Sequence, residues 1–234
     1  GGILDVLEMT KQEATILFVS DHGDMLGDRG LWFKMSFFEG AARVPLMIAA
    51  PEMAPGVVTA PVSTIDICPT LCNLAGISMA EVMPWTHGES LVPLASGGAR
   101  HQAVAMEYAA EASYAPLVSL CSGWWKYIRC ALDPEQLFNL ETDPHELCNL
   151  ASNPQYAKIL QDLRDQSHAL WDLDRFDAEI RESQARRWVI YEALREGGYY
   201  PWDYQPLQTA SERYMRNHIH LNALEAKKRV PKRT

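Results

Sequence analysis

The stretch "TILFVSDHGDMLGDRGLWFKMSFFEGAARVPLMIAAP", Thr15 to Pro51, decides how this chain is read. Ile16, Leu17, Phe18 and Val19 form a short continuous apolar run, as a strand buried on both faces does. The run ends in the adjacent pair Asp21 and His22. In parallel α/β sheets ligands bind just outside the carboxyl ends of the strands, and a carboxylate beside an imidazole there can hold a metal ion. Gly23 and Gly27 let the chain turn sharply around it. "RVPLMIAAP" reads as a second strand, closed by Pro51.

Outward from this stretch the chain divides in three. Residues 1–99 alternate helix and strand. Ile3, Leu4, Val6 and Leu7 have helical spacing ahead of the first strand, and Asp66 begins a helix with an apolar face of Ile67, Leu71 and Leu74 that Gly76 stops. The alternation predicts a mostly parallel sheet with helices packed on it. Residues 100–153 hold four strand-like runs, "QAVAMEYA", "PLVSLCSG", "WKYIRCAL" and "EQLFNLETD", spaced as a small antiparallel meander. Residues 154–234 read as helix to about 196, starting at Pro154 with a stripe of Ile159, Leu160, Leu163, Leu170 and Leu173. A tail rich in aromatic residues and ending in basic ones follows. A helix leading straight into a central strand, with no initiating Met, reads as the later part of a longer protein.

Composition narrows the function. The chain has 234 residues, 47% hydrophobic and 22% charged, with a net charge of −9. That charge argues against a nucleic-acid partner, whose phosphates call for concentrated Lys and Arg. No apolar run approaches the ~20 residues of a membrane helix, so no membrane partner is expected. Five cysteines, an odd number, do not suggest a disulfide framework. They fit a reducing compartment, and a cytoplasmic location is expected.

Taken together, the motifs resemble the sulfatase family of the alkaline phosphatase superfamily. "SDHGDMLGDRGLWFKMSFFEGAARVPLMIAAP" resembles its metal-binding segment, "STIDICPTLCNLAGI" the helix that follows, "HGESLVPL" the next signature, and "EQLFNLETDPHELCNLA" the closing motif of its small C-terminal sheet. Four motifs occur in the family's order over about 150 residues. "YYPWDYQP" and "SERYMRNH" resemble the C-terminal extension of the bacterial choline-sulfatases, a narrower branch. The resemblance implies the C-terminal part of an alkaline-phosphatase-like α/β sandwich, a small antiparallel sheet and a helical extension.

Roles follow residue by residue. Asp21 and His22 stand where the family places metal ligands; many members have Asn at the second position, so His22 departs from the commonest pattern. The family implies Ca²⁺. Ca²⁺ favours all-oxygen coordination and imidazole suits transition metals better, which makes Mn²⁺ the alternative. Lys34 stands where the family places a catalytic Lys that contacts the sulfate, offsetting charge on the ester and its leaving group. The choline branch implies a carboxylate near the quaternary ammonium, and Glu111 is chosen over Glu107; a plain exposed Glu at a strand end is the competing reading. Glu39 and Arg43, four apart, are expected to pair on one helical turn. Asp24 and Asp28 shape the loop, His87, His101 and His145 have no named partner, and Trp124, Trp125 and Phe138 are expected in the core. Tyr199, Tyr200, Trp202 and Tyr204 are expected to pack across a subunit boundary of a homo-oligomer.

Half of the chemistry is missing. The family's nucleophile is formylglycine, made from Cys or Ser in a Cys-x-Pro/Ala-x-Arg motif, and "CPTLC" (Cys68 to Cys72) lacks the Arg. The expected function is therefore the C-terminal portion of a metal-dependent sulfuric ester hydrolase acting on a small sulfate ester. Choline sulfate, split by water into choline and sulfate, is the first candidate. The nucleophile would come from an N-terminal part, and this chain alone would be inactive. The alternatives are a phosphonate or phosphate monoester hydrolase of the same fold, or a non-catalytic oligomerisation module.

Overall fold

The two apolar runs flanking the Asp-His pair form β1 (Ile16–Val19) and β2 (Leu46–Ala49), which pair antiparallel with Ile16 opposite Ala49 and Val19 opposite Leu46. Helix–strand alternation predicts parallel neighbours at this point. The connection fits the antiparallel pairing: residues 20–45 are long enough for a crossover, but they contain only a 3-10 turn (Asp28–Gly30) and the four-residue α2 (Glu39–Ala42), not the longer helix that usually makes a parallel return. Both strands alternate half-buried and exposed positions rather than being covered on both faces, and the opposed Phe18 and Met47 are both exposed. The computed structural model describes residues 1–51, 53–100, 102–111 and 113–196. Residues Gly1–Ile180 form one compact unit, and a second begins at Arg181.

The expected first helix is α1 (Gly2–Thr10), closed by Lys11 in the left-handed conformation. The "STIDICPT" helix starts as a capping box: the Ser63 hydroxyl accepts from Ile65 N–H while the Asp66 carboxylate accepts from Ser63 N–H. That arrangement satisfies orphan donors at the helix start. A 3-10 turn (Thr64–Asp66) leads into α3 (Ile67–Leu74), and Gly76, at φ 69°, ends it as expected. The buried residues of α3 are Pro69 and Thr70, and Leu71 is exposed. The reason is polar. Thr70 Oγ1 donates to the Asp66 carbonyl at 2.6 Å and accepts from Leu91 N–H at 2.9 Å, which turns that side of α3 toward the start of α5 (Leu91–Ala95). Between them lies α4 (Met79–Val82).

The predicted meander is present as β3 (Val104–Tyr108), β4 (Leu117–Ser122), β5 (Trp125–Cys130) and β6 (Gln136–Asn139), antiparallel in sequential order. Side chains alternate faces along a strand, and here both faces are covered. Val118, Leu120, Tyr127 and Leu137 pack with Leu160, Leu163, Trp171 and Leu173. On the other face Ile128 and Phe138 pack against Phe37, from the segment that carries Lys34.

After a 3-10 turn (Pro154–Tyr156) the helical stretch is not continuous. It divides into α6 (Ala157–Leu170) and α7 (Leu173–Glu196). Trp171 is extended, at φ −134° and ψ 126°, and its indole N–H donates to the Glu107 carboxylate at 2.6 Å. Asp172 then accepts from Arg175 N–H at 3.1 Å, a side-chain cap for the new helix. The dipeptide Trp171-Asp172, a large apolar anchor before a capping residue, is the sequence signal for this break.

Candidate functional site

Asp21, His22 and Lys34 come together at the end of β1. The His22 backbone N–H donates to Asp21 Oδ1 at 2.9 Å, and His22 Nε2 lies 3.4 Å from Asp21 Oδ2. His22 Nδ1 is 2.8 Å from the Gly23 carbonyl, a contact it can make only as a donor. Nε2 is thereby the acceptor nitrogen, and Lys34 Nζ faces it at 3.0 Å. The Asp21 side chain is 84% exposed. Its carboxyl is held below the ordinary carboxylate value, chiefly by the His22 backbone N–H and further by the charge of Lys34, against the opposing effect of desolvation.

The local backbone makes this possible. Ser20 donates its hydroxyl to the His22 carbonyl at 2.9 Å. Gly23 N–H donates to Ala41 O at 2.8 Å, which draws the turn onto α2. The contact is so close that a Cβ on Gly23 would lie 2.2 Å from Gly40 O. Only glycine fits, for reasons of space.

The pair Asp21 and His22 fits part of a divalent-ion site. Asp21 Oδ2 and His22 Nε2 lie 3.4 Å apart, and among the described residues no group of three His, Cys, Asp or Glu side chains forms a fuller cluster. Any remaining ligands would be water or groups from elsewhere.

Glu111 follows β3 on an exposed turn, where its carbonyl accepts the Tyr108 hydroxyl at 2.7 Å. Among the described residues it makes no hydrogen bond or ion pair with Asp21, His22 or Lys34. Burial, with the Glu111 charge second, pushes the Tyr108 phenol up. Glu107 is engaged with Trp171. Glu39 and Arg43 do approach, at 3.9 Å, but Glu39 is committed more closely to Lys126. Phe138 is buried, Trp125 is half-buried against Tyr156, and Trp124 is exposed beside the turn at Gly123. His101, Tyr199, Tyr200, Trp202 and Tyr204 lie outside the described residues.

Two buried polar nodes elsewhere in the fold were not visible in the sequence. In the first, buried Lys126 donates to Glu39, to Glu146 Oε1 at 2.8 Å and to the Phe37 carbonyl at 2.9 Å, while Glu146 Oε2 accepts from Glu39 N–H at 2.7 Å. Burial alone would lower the Lys126 pKa; Cys121, Glu146 and Glu39 overcome it and raise the value. Arg29 donates to the carbonyls of His145 (2.7 Å) and Glu146 and stacks 4.1 Å above the Phe38 ring. Glu146 is 2% exposed and sits at φ 55°, a left-handed conformation for a non-glycine residue. Such strain persists only where surrounding contacts over-determine it. The second node is Asp66, fully buried, which accepts from Arg100 Nη1 at 2.6 Å and from Glu89 N–H at 2.9 Å.

The comparisons with known proteins bear on the family and the fold. The family model described as "N-sulphoglucosamine sulphohydrolase, C-terminal" matches residues 27–172, and "Choline sulfatase enzyme C terminal" matches residues 178–230. A choline-sulfatase of Rhizobium meliloti (strain 1021) is 62% identical over 237 aligned positions, covering 99% of this chain and 46% of the relative. The chain thus spans less than half the length of that relative. Among solved structures, a 2-O GAG sulfatase matches at TM-score 0.59 and 30% identity over 67% of this chain and 35% of its own. A phosphonate monoester hydrolase of Agrobacterium radiobacter matches at TM-score 0.59 and 28% identity over 73% of this chain and 38% of its own. The alkaline-phosphatase-like fold expected from the motifs is borne out, and the chain belongs to the sulfatase family.

Proposed function

We propose that this chain forms the C-terminal portion of a sulfuric ester hydrolase that cleaves choline sulfate to choline and sulfate. The single observation carrying the substrate is the 62% identity to a choline-sulfatase across nearly the whole chain. The geometry is consistent with it. Asp21 and His22 would hold a divalent ion, Ca²⁺ or Mn²⁺, which when bound supplies Lewis-acid polarisation of the ester oxygens. Lys34 would place its ammonium against the sulfate and offset charge as the ester bond breaks. The Lys34 ammonium faces His22 Nε2 at 3.0 Å; an ion on Nε2 would take that lone pair and leave the ammonium to turn to the sulfate. Glu111 would face the trimethylammonium group.

The attacking group, a formylglycine, would come from an N-terminal part of the same protein. Two facts support that reading. The relative is more than twice as long, and apolar side chains on α1 (Ile3, Leu4, Val6, Met9) and on the strands (Phe18, Met47) are exposed, a surface suited to burial by further chain. The homo-oligomer built through the aromatic tail and the cytoplasmic location belong to the same proposal.

A second reading rests on the match to a phosphonate monoester hydrolase. One experiment separates the two. The protein, extended to the length of its relatives and supplied with Ca²⁺ or Mn²⁺, is assayed on choline sulfate and on a phosphonate monoester. Faster release of choline supports the first reading; preferred cleavage of the phosphonate replaces it with the second. Residues 1–234 alone are expected to hydrolyse neither.

A further inference from the structure

Three sulfur atoms meet outside the group formed by Asp21, His22 and Lys34. Cys68 and Cys72 stand four apart on α3, a spacing that places both on one helix face. Met83, the residue that closes α4, brings its Sδ to 3.4 Å from Cys68 Sγ. Burial, with the neighbouring Cys68 second, pushes the Cys72 thiol up. Cys68 is exposed, while Cys72 and Met83 are half-buried, so the group opens to solvent on one side and is backed by protein on the other. The short link between the helices is fixed in place, with Ile77 N–H donating to the Cys72 carbonyl at 2.8 Å.

We propose that Cys68, Cys72 and Met83 form a three-sulfur site for a soft monovalent cation, Cu(I). This inference is independent of the hydrolase reading. A disulfide is the first competing use of two neighbouring thiols, and helix geometry opposes it. Residues four apart on a helix have Cβ atoms ~5–6 Å apart, against ~3.8 Å across a disulfide. A single ion shared by two thiolates spans that gap without unwinding the helix. The third ligand then selects the metal. A thioether is neutral and polarizable, a good partner for Cu(I) and a poor one for Ca²⁺, Mg²⁺ or Mn²⁺. Binding displaces one proton from each thiol. Two thiolates and one Cu(I) leave a single negative charge, which the exposed side leaves open to water.

The test is a titration of the reduced, oxygen-free protein with Cu(I) in competition with bicinchoninate. One equivalent should be retained, and X-ray absorption should show a first shell of sulfur alone. Met83→Leu keeps the volume of the side chain and should leave thermal unfolding of the metal-free protein unchanged. It should nevertheless weaken Cu(I) binding about tenfold, and Cys68→Ser or Cys72→Ser about a hundredfold, with Cys148→Ser without effect. Unaltered affinity in Met83→Leu, nitrogen or oxygen scatterers in the first shell, or Zn²⁺ bound as tightly as Cu(I) would each overturn the proposal.

Discussion

Lys126 Nζ lies 2.8 Å from Glu146 Oε1 with both side chains almost fully buried, and together they fasten the segment that carries Lys34 to the small sheet. Taking three charged groups out of water is costly, and the arrangement stands because each has a close partner. Lys126→Met leaves the carboxylates of Glu39 and Glu146 without their cation. The expected loss is about 3–5 kcal/mol, the range for breaking one side of a buried ion pair. Urea denaturation checks it, and a loss under 1 kcal/mol would show that water reaches the carboxylates freely.

Lys34→Ala, in the protein at the length of its relatives, is expected to lower turnover by ~10²–10³, the usual effect of removing one donor aimed at developing charge. Circular dichroism should be unchanged, because Lys34 is exposed and its side-chain hydrogen bond is to His22 alone among the described residues. A rate near that of the parent would return Lys34 to the ordinary surface.

Asp21→Ala should reduce bound Ca²⁺ or Mn²⁺ and activity together. The His22 N–H holds the Asp21 carboxyl below its ordinary value; the negative charge is what an ion would bind, so Asp21→Asn should lose metal nearly as severely as Asp21→Ala. Elemental analysis after dialysis reads this directly, and undiminished metal content in either variant would remove Asp21 from the ligand set.

Glu111→Gln separates two substrates. If Glu111 faces the quaternary ammonium, KM for choline sulfate rises while KM for an uncharged aryl sulfate stays the same. A parallel rise in both would make Glu111 a structural residue of the β3–β4 turn.

Glu135 gives a pH signature. Arg164 bonds its carboxylate, and the Tyr127 hydroxyl also donates to it; these hold its pKa below the ordinary 4.5 against the opposing effect of burial. A depressed folded value means the stabilisation is complete above about pH 4.5 and disappears as pH falls through the lower, folded value. Glu135→Gln should therefore unfold more easily than the parent at neutral pH, by about 1 kcal/mol for a partly exposed pair. The two curves of melting temperature against pH should converge in acid. A constant gap down to pH 2 would refute the linkage.

Much of this was legible in the sequence where the signal was local. Asp21 and His22 are adjacent at a strand end, and the resemblance of Thr15 to Pro51 to the sulfatase metal-binding segment placed Lys34 with them. The four strands of the meander followed from short apolar runs separated by turn residues. What stayed hidden was long-range and polar. Nothing near Lys126 announces that its partners are Glu39 and Glu146, because a buried Lys and an exposed one look alike in a list of residues. Asp66 was read as a helix start, and it is one, but its Arg100 partner is 34 positions away. The antiparallel pairing of β1 and β2 depended on the absence of a crossover helix in residues 20–45, which the glycines and aromatics there did not reveal.

The tie between Glu39 N–H and Glu146 Oε2 spans 107 positions along the chain. Such a contact closes a long loop, and the entropy of closing it must be met before the contact helps. The turn holding Asp21 and His22 can form early from neighbours, but the segment from Phe37 to Ala42 cannot be locked until residue 146 has been synthesised and the strand before it has paired. The order of events during synthesis is thereby set by the fold: the segment that follows Lys34 settles among the last parts of this region, after the strands of the small sheet have paired.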